Sequence, residues 1–205
     1  MESVVGQIRA QGSRLHRLVL PRRLVLVSDR YSFAYYQVPK VATSSLRSVF
    51  KEIDSELRFA GPSRKLTKNG KLHSFAFVRD PYTRLYSCWC NKVRDSDKLA
   101  RYYPELRGRD FERFVEAISS WDLRICDPHL RLQSRLVPKN VEFVGRFESL
   151  TEDYKRLSEY LGLPIHELPR RNATKAVEVV EHAYTDALRQ TVAKMYERDL
   201  RRFGY

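Results

Sequence analysis

The chain has 205 residues, room for one globular domain whose core needs no disulfide or metal staple. Hydrophobic residues make up 42% and aromatic residues 12%, which excludes a disordered chain. With 38 Lys and Arg against 25 Asp and Glu the net charge is +13, an excess that points to an anionic partner: nucleic acid, an acidic membrane face, or a small phosphorylated or sulfated molecule.

The first apolar stretch, residues 18–27, is cut by Pro21, Arg22 and Arg23. It falls short of the ~20 apolar residues of a membrane span and lacks the unbroken core of a secretory signal, so no membrane span is expected. Residues 31–38 are rich in aromatic and β-branched side chains and end at Pro39, which reads as a strand. Leu46, Val49, Phe50 and Ile53 then recur at i, i+3, i+4 and i+7, an amphipathic helix. Residues 65–71 are basic and carry the turn signal Asn69-Gly70.

Residues 74–78 form an apolar run of strand length. Asp80-Pro81 opens the next helix with a cap residue and a proline at the first helical position, and Tyr82, Leu85, Tyr86, Trp89 and Val93 give it a buried stripe. Phe111, Phe114, Val115 and Ile118 mark a helix behind Asp110. No element is assigned to residues 125–136. Residues 141–147 read as a third strand, and Ser149-Leu150-Thr151-Glu152 as a capping box with Tyr154, Leu157 and Leu161 behind it. Gly162 and Pro164 stop that helix. A last helix spans residues 185–201, with Leu188, Val192, Met195, Tyr196 and Leu200 on its inner side. There is no repeat and no low-complexity linker. Alternating strands and helices predict an α/β domain with a mainly parallel sheet.

The three cysteines are Cys88, Cys90 and Cys126. An odd count without a secretory signal predicts reduced, structural thiols and a cytoplasmic setting. Cys88 and Cys90 stand two apart in a helix and do not face each other, which makes them poor disulfide or metal partners. No His, Cys and Asp cluster has metal-ligand spacing, so no metal is expected.

Two segments carry chemistry. The first, Val38-Pro39-Lys40-Val41-Ala42-Thr43-Ser44-Ser45-Leu46, joins a strand to a helix. Free backbone N–H groups and the positive end of the helix dipole converge at such a turn and make an anion site. Lys40 adds a cation, and Thr43, Ser44 and Ser45 add hydroxyl donors. The segment contains no glycine, so it is not a nucleotide-triphosphate loop of the G-x-x-x-x-G-K-[ST] type. The second, residues 77–87, starts at the end of a strand, where ligands gather in open α/β sheets. Arg79 has the planar fork that suits a phosphate, and Arg84, Ser87 and Asn91 form a polar stripe at i, i+3 and i+7. Arg79 and Ser87 are the candidates for a second anion; Arg84 also stands four residues from Asp80, a spacing that pairs the two charges. Two anion sites on neighbouring strands suit a bis-phosphorylated nucleotide.

This pair of segments resembles the cofactor motifs of the sulfotransferases, specifically the Golgi-type carbohydrate sulfotransferases and their bacterial relatives. Pro39-Lys40-Val41-Ala42-Thr43-Ser44-Ser45 is similar to their loop for the 5′-phosphosulfate, and Arg79-Asp80-Pro81 with Arg84 and Ser87 to their R-D-P-x-x-R-x-x-S motif for the 3′-phosphate. Asp127-Pro128-His129 with Gln133 resembles D-x-H-W-x-P-Q, and Phe143-Val144-Gly145-Arg146-Phe147-Glu148-Ser149-Leu150 resembles F-V-G-R-[FY]-E-x-L. Asn172-Ala173-Thr174-Lys175 resembles a late N-x-[ST] loop, and the chain ends on Phe203-Gly204-Tyr205 as many members do. Leu130 stands where the family has tryptophan, and Arg131-Leu132 precedes Gln133 in place of x-P. Those departures bear on the acceptor, not on the donor motifs.

The resemblance implies a three-layer fold like that of P-loop NTPases and one catalytic domain over residues 1–205. It implies that 3′-phosphoadenosine 5′-phosphosulfate (PAPS) gives a sulfuryl group to a hydroxyl, leaving adenosine 3′,5′-bisphosphate. Pro39, Lys40, Val41, Ala42, Thr43, Ser44, Ser45, Arg79 and Ser87 are the expected donor-binding residues. Lys40 is the expected stabiliser of charge on the leaving phosphate. His129 is the first candidate for general base and His73 the second, because imidazole titrates in the physiological range; Asp127 or a glutamate is the alternative. Arg170, Arg171 and Lys175 are candidates for a loop closing on the donor. A carbohydrate hydroxyl is the acceptor the resemblance favours; a peptide tyrosine, a lipid or a small-molecule hydroxyl stays open.

Two other classes compete. A nucleotide kinase is imitated by Asp80 behind an apolar strand but lacks its glycine loop. A nucleic-acid-binding module is permitted by the charge and by Tyr35, Tyr36, Tyr102 and Tyr103 as stacking platforms, but no recognition motif accompanies them, and no nucleic-acid partner is expected.

Overall fold

The computed structural model of the chain describes residues 25–60, 72–164, 167–168 and 177–205. The elements in order are β1 (Val25–Ser28), β2 (Phe33–Tyr36), α1 (Thr43–Ile53), β3 (Arg58–Ala60), β4 (His73–Val78), α2 (Pro81–Trp89), α3 (Phe111–Ser119), α4 (Gln133–Leu136), β5 (Phe143–Arg146), α5 (Leu150–Leu161), α6 (Val177–His182) and α7 (Asp186–Phe203). A π-helical turn, Cys90–Arg94, continues α2, and a 3-10 turn, Pro104–Leu106, precedes α3. The basic stretch 65–71 with Asn69-Gly70, and Arg170, Arg171 and the Asn172 to Lys175 segment, lie outside the described residues. Among the described residues no helix is long and apolar enough to cross a membrane.

These residues sort into two compact units, each assembled from separate stretches of chain. The sheet unit holds β1 to β4, α1, α4, β5 and α5. Its five strands lie in the order β3-β1-β2-β4-β5. β2, β4 and β5 run parallel, with Tyr35 opposite Phe75 and Phe77 opposite Gly145. β1 pairs antiparallel with β2 on one side and with β3 on the other. The sheet is therefore mixed, which corrects the mainly parallel expectation. The cause is local. Only residues 29–32 separate β1 from β2, and so short a connection returns an antiparallel strand, since a parallel one needs a crossover of a dozen residues or more.

One face of this sheet is aromatic. Tyr35 stacks on Phe75 with ring centres 5.0 Å apart, and Phe33 meets Phe75 edge-on at 5.4 Å. Phe50 of α1 lies 5.3 to 5.6 Å from Phe33, Tyr35 and Phe75, and Tyr154 of α5 packs on Phe50. Gly145 is required here, because a Cβ at that position would lie 2.4 Å from the Phe77 ring. The capping box is not formed. The Ser149 hydroxyl donates to Asp153 Oδ2 at 2.9 Å, and the same oxygen accepts the Arg146 N–H at 2.7 Å. Asp153, one residue beyond the expected glutamate, thereby ties the end of β5 to the first turn of α5.

The helical unit contains α2, α3, α6 and α7. Its core joins Leu85, Tyr86 and Trp89 to Phe111, Phe114 and Ile118, and to Leu188, Val192 and Tyr196, the periodic positions of three helices. Asp110 caps α3 by accepting the Arg113 N–H at 2.9 Å, and Thr185 caps α7 by accepting that of Leu188 at 3.2 Å. Cys88, Cys90 and Cys126 are buried, and none of the three is in a disulfide.

Candidate active site

β2 and β4 are parallel neighbours, so their carboxyl ends open at the same edge of the sheet, where open α/β sheets receive ligands. The segment leaving β2 is bent by two left-handed residues, Lys40 at φ 73° and Ala42 at φ 58°. Each costs about 1–3 kcal/mol for a residue with a Cβ, a strain that persists where the surroundings impose it and that gathers at ligand sites. Left-handed residues in a tight turn swing neighbouring N–H groups the same way, a backbone arrangement that suits an anion. Ala42 is the N-cap of α1 and no side chain caps that helix. The Thr43 hydroxyl instead donates to the Val38 carbonyl at 2.6 Å and staples the loop closed. Pro39, Lys40 and Ala42 are half-buried, Val41 and Ser45 buried, and Ser44 exposed. Gln37, buried at the loop's entry, has an amide Nε2 with no hydrogen-bond partner among the described residues.

Arg79 follows β4 and is only 7% exposed. Its guanidinium lies over the Phe147 ring, 4.1 Å from the ring centre, and its Nη1 donates to the Lys40 carbonyl at 3.3 Å. Its backbone is gripped as firmly. The Arg79 N–H donates to Gln133 Oε1 at 3.0 Å, and Gln133 Nε2 donates back to the Arg79 carbonyl at 2.7 Å. Gln133 is wholly buried and pairs with Arg79 as a neighbouring strand would. One residue on, the Asp80 N–H donates to Glu148 Oε1 at 2.8 Å. Pairing of Phe147 N–H with the Val78 carbonyl at 2.8 Å extends β5 beside β4 and sets the Phe147 ring in place. Two downstream segments, around Gln133 and around residues 147–148, thus hold Arg79. Both segments stand out in the sequence as motifs, but their convergence on this arginine is visible only in the fold.

In the helical unit, His129 is half-buried in a turn of residues 127–131. Asp127, buried beneath it, accepts both the His129 backbone N–H and its ring Nδ1 at 2.8 Å through the single oxygen Oδ1. Carboxylate contact at Nδ1 holds the proton there and leaves Nε2 as the basic nitrogen. Asp127 is thereby the residue that orients His129. Ser87 lies on α2 and is buried. Arg84, expected on a polar stripe and at i+4 from Asp80, is 1% exposed, and its Nη2 donates to the Pro128 carbonyl at 3.1 Å. Lys92, in the π-helical turn, has its ammonium pKa lowered by burial and by nearby Lys98. Burial pushes the Cys126 thiol up to about 12.

His73, the second candidate base, sits at the amino end of β4, a strand length of ~16 Å or more from Arg79 at 3.3 Å per residue. Its Nδ1 lies 2.9 Å from Glu142 Oε2 and 3.0 Å from the Tyr160 hydroxyl, in an exposed trio. That position removes it from the loop end of the sheet.

A family model described as "Sulfotransferase family" matches residues 23–205. Carbohydrate sulfotransferase 14 of Mus musculus is 29% identical over 188 residues, covering 74% of this chain and 50% of that protein; its Homo sapiens counterpart is 28% identical with the same coverage. Carbohydrate sulfotransferase 8 of Homo sapiens is 26% identical over 205 residues, covering 75% of this chain and 46% of that protein. The chain thus spans about half the length of the curated relatives it matches. No solved structure matches it.

Proposed function

Because the chain belongs to the sulfotransferase family, we propose that it moves a sulfuryl group from PAPS to a hydroxyl of a carbohydrate. The observation that carries this reading is the join between the two anion segments: Arg79 reaches the carbonyl of Lys40 inside the left-handed loop. The carbohydrate acceptor rests on the relatives, which are carbohydrate sulfotransferases.

The residues present suit a doubly anionic nucleotide. The strained loop with its uncapped helix start, and the Gln37 amide at its entry, provide N–H donors in one segment, and Arg79 provides a fixed, always-charged fork beside it. When bound, the donor supplies the sulfuryl group on an activated phosphosulfate. Lys40 and the N–H groups of Val41 to Ser45 stabilise the negative charge that grows on the leaving phosphate. Arg79 holds the 3′-phosphate through its planar fork. His129 takes the acceptor proton at Nε2 while Asp127 steadies the resulting charge at Nδ1. Most of the rate then comes from positioning and electrostatics, as in phosphoryl transfer. We read the architecture as P-loop-like, on the parallel β2-β4-β5 core and the anion loop joining β2 to α1.

The test is transfer of labelled sulfate from PAPS to a panel of desulfated glycosaminoglycans, neutral oligosaccharides, tyrosine peptides and small alcohols. PAPS-dependent labelling of a glycan supports the proposal. Stabilisation by ATP with magnesium but not by adenosine 3′,5′-bisphosphate in a thermal melt overturns the donor, and labelling confined to the other acceptors overturns the carbohydrate.

A further inference from the structure

We infer that Arg84 and Tyr196 are positioning residues for the general base: together they fix the turn that carries His129, and Arg84 is not a ligand of the donor's phosphate. The inference rests on the reading of His129 as the base.

The carbonyls immediately before and after His129 are both held by side chains from other helices. Arg84 of α2 donates from Nη2 to the Pro128 carbonyl at 3.1 Å, and Tyr196 of α7 donates from its hydroxyl to the Leu130 carbonyl at 2.7 Å. Between these two points Asp127 Oδ1 receives the His129 N–H and ring Nδ1. Arg131 closes the other side by donating from Nε and Nη2 to the Cys126 carbonyl at 3.0 and 2.6 Å and from Nη2 to Ile125 at 3.3 Å. Thus His129 is restrained through its ring, its own N–H and both flanking carbonyls.

The two clamping side chains are also placed at a cost, which argues that their positions matter. Arg84 is the largest fully buried side chain described, and Tyr196 is fully buried as well. A guanidinium is expensive to remove from water unless its N–H groups are all used. α7 is distorted at Tyr196 itself, where φ −112° and ψ 17° interrupt the helical values. The helix is thus kinked at the residue whose hydroxyl holds the Leu130 carbonyl. A base that must meet a hydroxyl within hydrogen-bond reach gains from such restraint, since a misplacement of about 1 Å costs on the order of 100-fold in rate.

Tyr196→Phe keeps the ring and deletes only the hydroxyl donor. With the best acceptor of the panel above, kcat should fall about 10- to 100-fold, while the Kd for adenosine 3′,5′-bisphosphate and the acceptor KM stay within about twofold. Arg84→Lys should behave alike, and it carries the test if Tyr196→Phe loses its cooperative melt. In a His129→Asn background neither change should lower kcat further, because a base that is absent cannot be misplaced. Ring-nitrogen chemical shifts of His129 give an acceptor-free readout: the Nδ1–H tautomer dominates in the parent and loses that dominance in Tyr196→Phe. Wild-type kcat in Tyr196→Phe, losses that multiply with His129→Asn, unchanged ring shifts, or weakened bisphosphate binding in Arg84→Lys would each overturn the clamp while leaving the base intact. Near-normal turnover of His129→Asn alone would instead overturn the base, and the clamp with it.

Discussion

Arg79 Nη1 donates to the backbone carbonyl of Lys40 across 3.3 Å, joining residues 39 apart in the chain. The contact couples the loop after β2 to the residue after β4, both in the sheet unit: a guanidinium over the Phe147 ring braces the loop whose lysine stands in a left-handed conformation. Cation and cradle are therefore built as one object, and each can be removed separately.

Lys40→Ala should lower kcat by roughly 10²–10³-fold, the usual loss for one stabiliser of developing charge. Lys40→Gly should match that loss and melt no lower than Lys40→Ala, since glycine adopts φ 73° without strain. Turnover and thermal melting on the two variants check both halves; near-normal turnover in either removes Lys40 from the chemistry.

Arg79→Ala should weaken adenosine 3′,5′-bisphosphate by about 10- to 100-fold, the worth of one or two hydrogen bonds to a charged group. Arg79→Lys should recover little, because an ammonium neither spreads over the Phe147 ring nor presents a planar fork. Titration calorimetry decides, and unchanged affinity in Arg79→Ala places the 3′-phosphate elsewhere.

His129→Asn should reduce kcat by about 10²–10⁴-fold with bisphosphate affinity preserved, the range that a general base contributes. A loss confined to acceptor KM would assign His129 to binding.

Gly145→Ala should destabilise the fold by about 1–3 kcal/mol, because the new methyl meets the Phe77 ring at 2.4 Å in a core face that is already full. The midpoint of urea unfolding measures it. No change in midpoint would mean that the ring yields freely.

Alkali should weaken the protein in a set window. Burial raises the Cys126 thiol from 9.0 to about 12 and holds the Tyr196 hydroxyl well above 10.0. The unfolded chain therefore releases these protons first. The stability they contribute is complete below pH 9 and is lost as pH rises from 9 toward 12. Denaturant midpoints at pH 8, 9, 10 and 11 should fall over the last two steps, and Cys126 should resist iodoacetamide at pH 8 until the chain unfolds. A flat midpoint to pH 11 contradicts this.

What the amino-acid sequence determined by itself is the local part. The helical stripes from Leu46 to Ile53 and from Leu188 to Tyr196, the caps Asp110 and Thr185, and the strand-to-helix turn around Lys40 rest on interactions within about four residues, where period and cap chemistry are decisive. The family-like motifs were legible for the same reason, each being a short run. The tertiary structure alone decided which runs support one another. Gln133 grips Arg79 across 54 positions and Glu148 grips Asp80 across 68, and neither periodicity nor propensity encodes such a partner. Local signals also competed with one another, since Asp153 took the Ser149 hydroxyl that a capping box would direct elsewhere. Tertiary packing turned Arg84 inward to Pro128, away from a solvent stripe. Where Gln133 meets Arg79 and Arg84 meets Pro128, a buried polar group had to be satisfied, and its partner came from a distant part of the chain.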